Sequence, residues 1–281
     1  MSNRGIAKQI RGQRAVDGAG VHMVRVLGYH DVKEFDPFLM MDSFDSTDPA
    51  DYVAGFPMHP HRGIETVTYL ISGRIDHKDS LGNKGTINSG ECQWMTAGSG
   101  ILHEEMPKPS ERMLGLQLWL NLPREEKMAD PQYLPITKDM IPRVQSGNAR
   151  VGVLSGSYKD AKGVTPKHIP VTIYDVELPK EEEITIPTKA EETVYIFLIE
   201  GDGVVDHQDI PEKTAILFGE GDEITVRAAS NKDLRFIYFS GKPLHEPIAW
   251  GGPIAMNTQA ELDLAFDELR RGTFIKHKKP I

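Results

Sequence analysis

The chain has 281 residues, 39% hydrophobic and 26% charged, enough apolar content to bury one large core or two modest ones. Its formal net charge of −9 excludes the clustered cationic surface that phosphate contacts need, so no direct nucleic-acid partner is expected. A single cysteine, Cys92, excludes an internal disulfide and fits a reducing compartment.

The first residues carry Arg4, Lys8, Arg11 and Arg14 with no apolar stretch behind them, so no secretory signal is expected. The most hydrophobic run, Val194-Tyr-Ile-Phe-Leu-Ile199, is far short of the ~20 residues of a membrane helix. These features predict a cytoplasmic protein, or a cytoplasmic and nuclear one in a eukaryote, with no membrane partner. The basic run Lys276-His-Lys-Lys279 reads as an inert solvated terminus.

Short β-type segments follow one another: Val21–Leu27, Phe38–Asp42, Glu65–Ile71, Gly85–Asn88, Glu91–Met95, Ile101–Met106 and Met113–Asn121. Cys92 sits in one of them and reads as a buried structural thiol. The last alternates, with Leu114, Leu116, Leu118 and Leu120 on one face and Gly115, Gln117 and Trp119 on the other. Such spacing with little helical periodicity predicts an all-β fold, a sandwich or a small barrel. Pro123, Pro131, Pro135 and Pro142 then mark a polar stretch that reads as an interdomain linker. The expected domains are 1–134 and 135–281. Strands resume at Ala149–Ser155, Val171–Leu178, Thr193–Glu200, Thr214–Phe218, Glu223–Ala228 and Leu234–Ser240.

The second run resembles a worn copy of the first. Glu65-Thr-Val-Thr-Tyr-Leu-Ile-Ser-Gly73 is echoed by Glu192-Thr-Val-Tyr-Ile-Phe-Leu-Ile-Glu-Gly201, and Gly90-Glu91 by Gly221-Asp222. One helix is predicted near the end. Thr258 with Glu261 forms a capping box, Leu262, Leu264, Ala265, Phe266 and Leu269 make an apolar stripe, and Gly272 ends it.

Two stretches carry the chemistry, Phe56-Pro-Met-His-Pro-His-Arg-Gly63 and Gly100-Ile-Leu-His-Glu-Glu-Met-Pro107. On extended chain, side chains at i and i+2 share a face, so His59 pairs with His61 and His103 with Glu105, while Glu104 points away. Three imidazoles and a carboxylate suit Fe, Mn, Ni, Cu or Zn. The repeat lacks these ligands: the positions upstream of Glu192 are Ile186-Pro-Thr188. One metal per chain is therefore expected, in the first half. His77, on the strand after Glu65–Ile71, could line the same pocket. His22, His30, His168, His207, His245 and His277 have no companion ligand and read as surface or packed residues.

These motifs, with Gln93-Trp-Met-Thr-Ala-Gly98, Gly115-Leu-Gln-Leu-Trp-Leu-Asn121 and Gly251-Gly-Pro-Ile-Ala-Met-Asn-Thr258, resemble the pirin family of the cupin superfamily over nearly the whole chain. The resemblance implies a bicupin: two tandem antiparallel jelly-roll β-barrels, the first holding one mononuclear metal, usually iron, and the second, with the terminal helix, holding none. It implies His59, His61, His103 and Glu105 as ligands. Most metallo-cupins take their carboxylate from the first motif, where Glu65 stands; the pirin resemblance leaves Glu65 beside the site and off the metal, unless strand parity carries it inward past Gly63.

Two functions of different class are implied. One is a quercetin 2,3-dioxygenase-like oxidoreductase, a quercetinase, opening a flavonol with O₂ and releasing carbon monoxide, with Glu105 as catalytic base. The other is a metal-responsive interaction protein, a transcriptional coregulator or a regulator of a metabolic enzyme, with a protein partner and no turnover.

Overall fold

The computed structural model describes residues 2–277, so Lys278 and Lys279 of the basic run lie outside the described residues. The chain is mostly strand and forms two cupin-like units. No helix among the described residues is long and apolar enough to cross a membrane.

One unit comprises residues 14–32, 38–137 and the chain from Leu244 onward. Its larger sheet has seven strands in the order Gln132–Ile136, Cys92–Thr96, Ile64–Ser72, Met113–Asn121, Phe38–Ser46, Val21–Leu27 and Gln13–Asp17. The smaller has four: Phe56–His61, Ile101–Pro107, Arg74–Asp79 and Lys84–Asn88. Met113–Asn121, near the middle of the larger sheet, is buried at every position. Its even residues are leucines, and its odd ones bring Gln117 and Trp119 to the other face. Gly115 is required for this packing, because a Cβ there would stand 2.3 Å from the carbonyl oxygen of Tyr69.

The other unit comprises the chain up to Gln13, residues 33–37 and residues 138–243. Its seven-stranded sheet runs Ile6–Arg11, Thr214–Phe218, Thr193–Glu200, Leu234–Gly241, Val171–Leu178, Ala149–Ser155 and Arg143–Ser146. Its four-stranded sheet runs Glu183–Pro187, Glu223–Ala228, Gly203–Val205 and Gln208–Ile210. Counted from Gln13–Asp17 in one unit and Arg143–Ser146 in the other, the first six strands coincide in order; the seventh, Gln132–Ile136, follows the others in sequence, whereas its counterpart Ile6–Arg11 precedes them. The sheets enclose an aliphatic core that includes Ile184, Ile186, Ile196, Ile224 and Val226.

Most predicted strands are present within a residue or two; Val21–Leu27, Met113–Asn121 and Ala149–Ser155 match at both ends. Three features differ from the sequence reading. Each unit is discontinuous in the chain. Ile6–Arg11 pairs with Thr214–Phe218, so the first strand completes the sheet of the later unit, and the C-terminal segment packs with the earlier one. The proline-rich stretch contains the strand Gln132–Ile136, which pairs with Cys92–Thr96. It lies at the sheet edge, where the missing N–H of Pro135 leaves no ladder bond unmade. Strand order also moves the echo of Gly90-Glu91: Gly221 precedes Glu223–Ala228, the counterpart of Ile101–Pro107, and not a counterpart of Cys92–Thr96.

The helix spans Gln259–Arg271 with the predicted Thr258–Glu261 capping box and Gly272 left-handed at φ 70°. Leu262 and Ala265 are buried with Ile254, Met256 and Phe274. Leu264, expected in the stripe, is 54% exposed, because the helix meets the sheet over a narrower arc than its apolar residues cover. Cys92 is a free, buried thiol, and burial pushes its pKa up.

Candidate metal centre

Register fixes the central pair. Phe56–His61 and Ile101–Pro107 run antiparallel with His59 opposite His103 and His61 opposite Ile101. The shared face of His59 and His61 therefore meets that of His103, and the ring centroids lie 4.4 Å (His59–His103), 4.8 Å (His59–His61) and 5.0 Å (His61–His103) apart. Among the described residues these three present ligand-capable atoms all within 4.8 Å of one another.

Hydrogen bonding selects their tautomers. His59 Nδ1 lies 2.9 Å from the Pro57 carbonyl oxygen and His61 Nδ1 3.1 Å from that of Pro253. A carbonyl only accepts, so each Nδ1 carries the proton and each Nε2 presents a lone pair. Those two Nε2 atoms are 3.0 Å apart. Two facing lone pairs repel, and a cation between them resolves the contact. A separation of about 3 Å is also what two neighbouring ligands at right angles around one ion span, for metal–imidazole bonds of ~2.1 Å as in zinc sites. His103 is fully buried, and neither of its ring nitrogens has a hydrogen-bond partner. Buried polar atoms are nearly always satisfied, so these orphaned nitrogens fit a ligand role.

Burial also keeps His61 and His103 neutral. It lowers His61 to about 3, helped by the neighbouring His59 and opposed by the Pro253 carbonyl. His103 is held well below its ordinary value by burial and by His61, His59 and His77. Neutral imidazoles bind metal without first releasing a proton.

The carboxylates divide as follows. Glu105 is 2% exposed and shares the inward face of His103, but in this conformation it stands outside the compact trio. Its Oε1 accepts from Thr68 Oγ1 at 3.1 Å and its Oε2 from Gln117 Nε2 at 2.7 Å. Glu104 points outward to Lys78 at 3.3 Å. Glu65 lies on the opposite face of its strand from Thr68 and is held by Trp94 Nε1 at 2.8 Å and Thr96 Oγ1 at 2.7 Å. The parity that could have carried Glu65 inward is broken at Gly63, whose φ of +74° ends one strand and starts the next in a different sheet. A Cβ on Gly63 would lie 2.1 Å from the Ala255 carbonyl oxygen.

His77 is buried opposite Glu105 on Arg74–Asp79, its ring 5.3 Å from that of His103 and stacked on Tyr133 at 4.8 Å and 12°. Neither of its nitrogens has a hydrogen-bond partner, yet it does not join the trio.

Groups that sequence reasoning left unassigned hold this arrangement in place. Arg62, beside His61, is fully buried, donates to the Ser99 carbonyl at 2.7 Å and pairs with Glu268 of the helix at 2.7 Å. Lys127 donates to the carbonyls of Gly63 and Ala255 and to Asn121 Oδ1; burial pulls its pKa down to about 7, opposed by the charges of Glu246 and Glu261. Gln117 and Thr68 orient Glu105. Parity had placed Gln117 on the non-leucine face of its strand; an amide within so apolar a run was the available signal. Trp250 and Pro253, near the end of the chain, also reach the site.

His59 and His61 form one end of a cavity of about 590 Å³, walled by Trp119, Trp250, Phe56 and Tyr29 and floored by Gln117. The Trp119 ring lies 4.9 Å from His61 and 6.1 Å from Trp250. A concave, mostly apolar space of this size with a few convergent polar groups is typical of small-molecule sites.

The chain matches the pirin family model at residues 20–120 and the model of the pirin C-terminal cupin domain at residues 173–275. A pirin-like protein of Caulobacter vibrioides is 40% identical over 98% of this chain and 100% of the relative. Human pirin is 37% identical over 96% and 93% of the two chains. A Pseudomonas aeruginosa protein, provisionally named quercetin 2,3-dioxygenase, is 41% identical over 93% and 94%. The crystal structure of a quercetin 2,3-dioxygenase from Acinetobacter baumannii superposes with a TM-score of 0.88 at 33% identity, covering 97% of this chain and 99% of that one. Two family models in tandem and identity of this extent make the chain a member of the pirin family.

Proposed function

We propose that the chain is a metal-dependent dioxygenase that opens a flavonol such as quercetin with O₂ and releases carbon monoxide. One observation carries this reading: three convergent imidazoles lie beside the buried Glu105, and two of them, His59 and His61, line an aromatic-walled cavity. The relatives whose names carry quercetin 2,3-dioxygenase support it.

His59, His61 and His103 would hold one mononuclear ion, iron first among the candidates, with Glu105 as fourth ligand. The ion would supply Lewis acidity toward an enolate oxygen and a path for electrons to O₂. The remaining work belongs to the protein. Glu105 takes the proton of the flavonol 3-hydroxyl, and Thr68 and Gln117 aim its carboxylate by donating one hydrogen bond to each oxygen. Trp119 and Trp250 cover the flat rings of the substrate and exclude water from the reacting carbons. Both atoms of O₂ enter the ring-opened product, and one ring carbon leaves with its oxygen as carbon monoxide.

The test is direct. Protein loaded separately with iron, manganese, nickel and copper should shift the absorption of quercetin under anaerobic conditions, then bleach it and release carbon monoxide when O₂ is admitted. A flavone lacking the 3-hydroxyl should bind poorly and not react. Fully loaded protein that consumes no O₂ with any flavonol would leave the metal-responsive interaction protein as the better account.

A further inference from the structure

The larger sheet of the unit with the histidine cluster carries a row of polar side chains leading away from the candidate metal centre. Thr68 is the register partner of Gln117, Gln117 of Asp42, and Asp42 of Arg25, so the row crosses four neighbouring strands. Strands lie ~4.8 Å apart, which puts Arg25 about 10 Å along the sheet from Gln117, on the order of the span of a three-ring flavonol. Arg25, Asp42 and Asp17 line the same cavity as His59, His61 and Gln117. Tyr29 and Trp250, their rings 5.7 Å apart, flank the space between.

Arg25 is built into this end of the cavity. Its Nε donates to Asp42 Oδ1 at 2.9 Å, and its Nη2 donates to Asp42 Oδ2 at 2.9 Å and to Asp17 Oδ2 at 3.0 Å. The two-pronged contact with Asp42 requires an ionised carboxylate, and Asp42 is almost fully buried. Three of the five guanidinium N–H groups are thus committed. Nη1 makes no hydrogen bond among the described residues, and its two donors remain for a ligand. Two carboxylates surround one guanidinium, so this end carries a net charge of −1. A hydroxyl suits it, because it accepts from Nη1 and donates to Asp17; an anion is repelled.

We propose that Arg25, fixed between Asp42 and Asp17, is the specificity-determining residue at the far end of the cavity, selecting uncharged planar enols that carry hydroxyl groups remote from the reacting carbon. This rests on the flavonol reading above and narrows it: hydroxylated flavonols are preferred to the bare 3-hydroxyflavone skeleton and to analogues ending in a carboxylate.

The experiment measures dissociation constants anaerobically on metal-replete protein for quercetin, 3-hydroxyflavone and a 3-hydroxyflavone bearing a carboxylate on its phenyl ring. Wild-type protein should bind quercetin at least tenfold tighter than 3-hydroxyflavone, the scale of a hydrogen bond to a charged group. Arg25→Lys keeps a cation beside the buried Asp42 but loses the fork; it should bind quercetin about tenfold more weakly and 3-hydroxyflavone within twofold of wild type. Asp17→Asn, at an exposed position, should improve binding of the carboxylate analogue severalfold. Equal weakening of both flavonols in Arg25→Lys would make the residue structural and overturn the proposal. Wild-type protein that binds both flavonols equally well would overturn it while leaving the flavonol reading intact. Protein that binds neither would overturn both.

Discussion

In the smaller sheet of the unit with the histidine cluster, the paired positions on neighbouring strands are His59 and His103; in the matching sheet of the other unit they are Ile186 and Ile224. Two residues beyond, Glu105 on one side answers to Val226 on the other. The strand order is the same, and every one of these positions except His59 is buried. What differs is whether the facing side chains satisfy one another. The isoleucines and the valine complete an aliphatic core, while His103 leaves both ring nitrogens without partners and two Nε2 lone pairs meet at 3.0 Å. Each unmet buried polar group costs about 1–3 kcal/mol. One unit is therefore finished by its own residues, and the other leaves buried ring nitrogens that a bound cation could satisfy.

The largest expected effect breaks the histidine side of this comparison. Elemental analysis should find one transition metal per chain, and His103→Ala should weaken its retention by more than 100-fold, beyond the 10–100-fold typical of outer partners of a ligand. Ile224→Ala in the other unit should leave metal content unchanged. Two tightly bound metals per chain, or full occupancy in His103→Ala, would sink the assignment.

Acid comes next, and its sign follows from burial. The unfolded chain protonates histidine near ~6.5, while the folded unit resists until about 3 at His61 and well below the ordinary value at His103. The stability tied to these neutral rings is fully present above pH 6.5. It is lost as the pH falls, by about 1.4 kcal/mol per pH unit for each ring, until the folded state also takes up the protons. All three tryptophans, Trp94, Trp119 and Trp250, lie in the unit with the histidine cluster, so their fluorescence reports its unfolding alone. For metal-free protein the urea midpoint by tryptophan emission should fall between pH 7.5 and 5.5. For holoprotein, metal loss should coincide with that unfolding rather than with titration near pH 6. A midpoint independent of pH would contradict buried neutral imidazoles.

The three histidines that converge, and Glu105 beside them, could be picked out from sequence because each pair sits two apart on extended chain, a rule that needs no knowledge of the partner strand. Parity failed at Glu65 because one left-handed glycine, Gly63, moved the chain to another sheet, and no pattern of side chains reveals a backbone reversal of that kind. The terminal helix was legible from local capping chemistry, yet its buried arc, and so the exposure of Leu264, depended on a surface supplied from elsewhere in the chain. Ile6–Arg11 was hidden for a related reason. Half of it stays exposed, and its partner strand begins at Thr214. Gln132–Ile136 was masked by Pro135, which forbids a central strand but is tolerated at an edge.

A third test reverses the substitution that separates the two units. Ile224 is completely buried, so Ile224→His would place an imidazole among aliphatic side chains with no companion ligand. The expected cost is about 2–3 kcal/mol, seen as a lower urea midpoint by circular dichroism, with the tryptophan transition unmoved and no metal gained. A variant as stable as wild type would mean that this position is not the closed core that its burial indicates.

The smallest effects test which residues complete which unit. Leu262 is buried against Ile254, Met256 and Phe274, whereas Leu264, two residues along the same helix, is 54% exposed. Leu262→Ala should cost about 2–3 kcal/mol, near the low end for buried leucines because the site lies at the margin of the core. Leu264→Ala should stay within about 0.5 kcal/mol. The helix packs with the unit that carries the histidine cluster, and Arg62, beside His61, is paired to Glu268 on it. The loss in Leu262→Ala should therefore appear in the tryptophan transition and be accompanied by weaker metal retention, since loosening the helix frees the Arg62 anchor and the His61 ring next to it. If the loss appears instead only in the circular dichroism of a phase without tryptophan change, the helix is stabilising the later unit, and the linear division at 134/135 describes the chain better than the exchanged ends do.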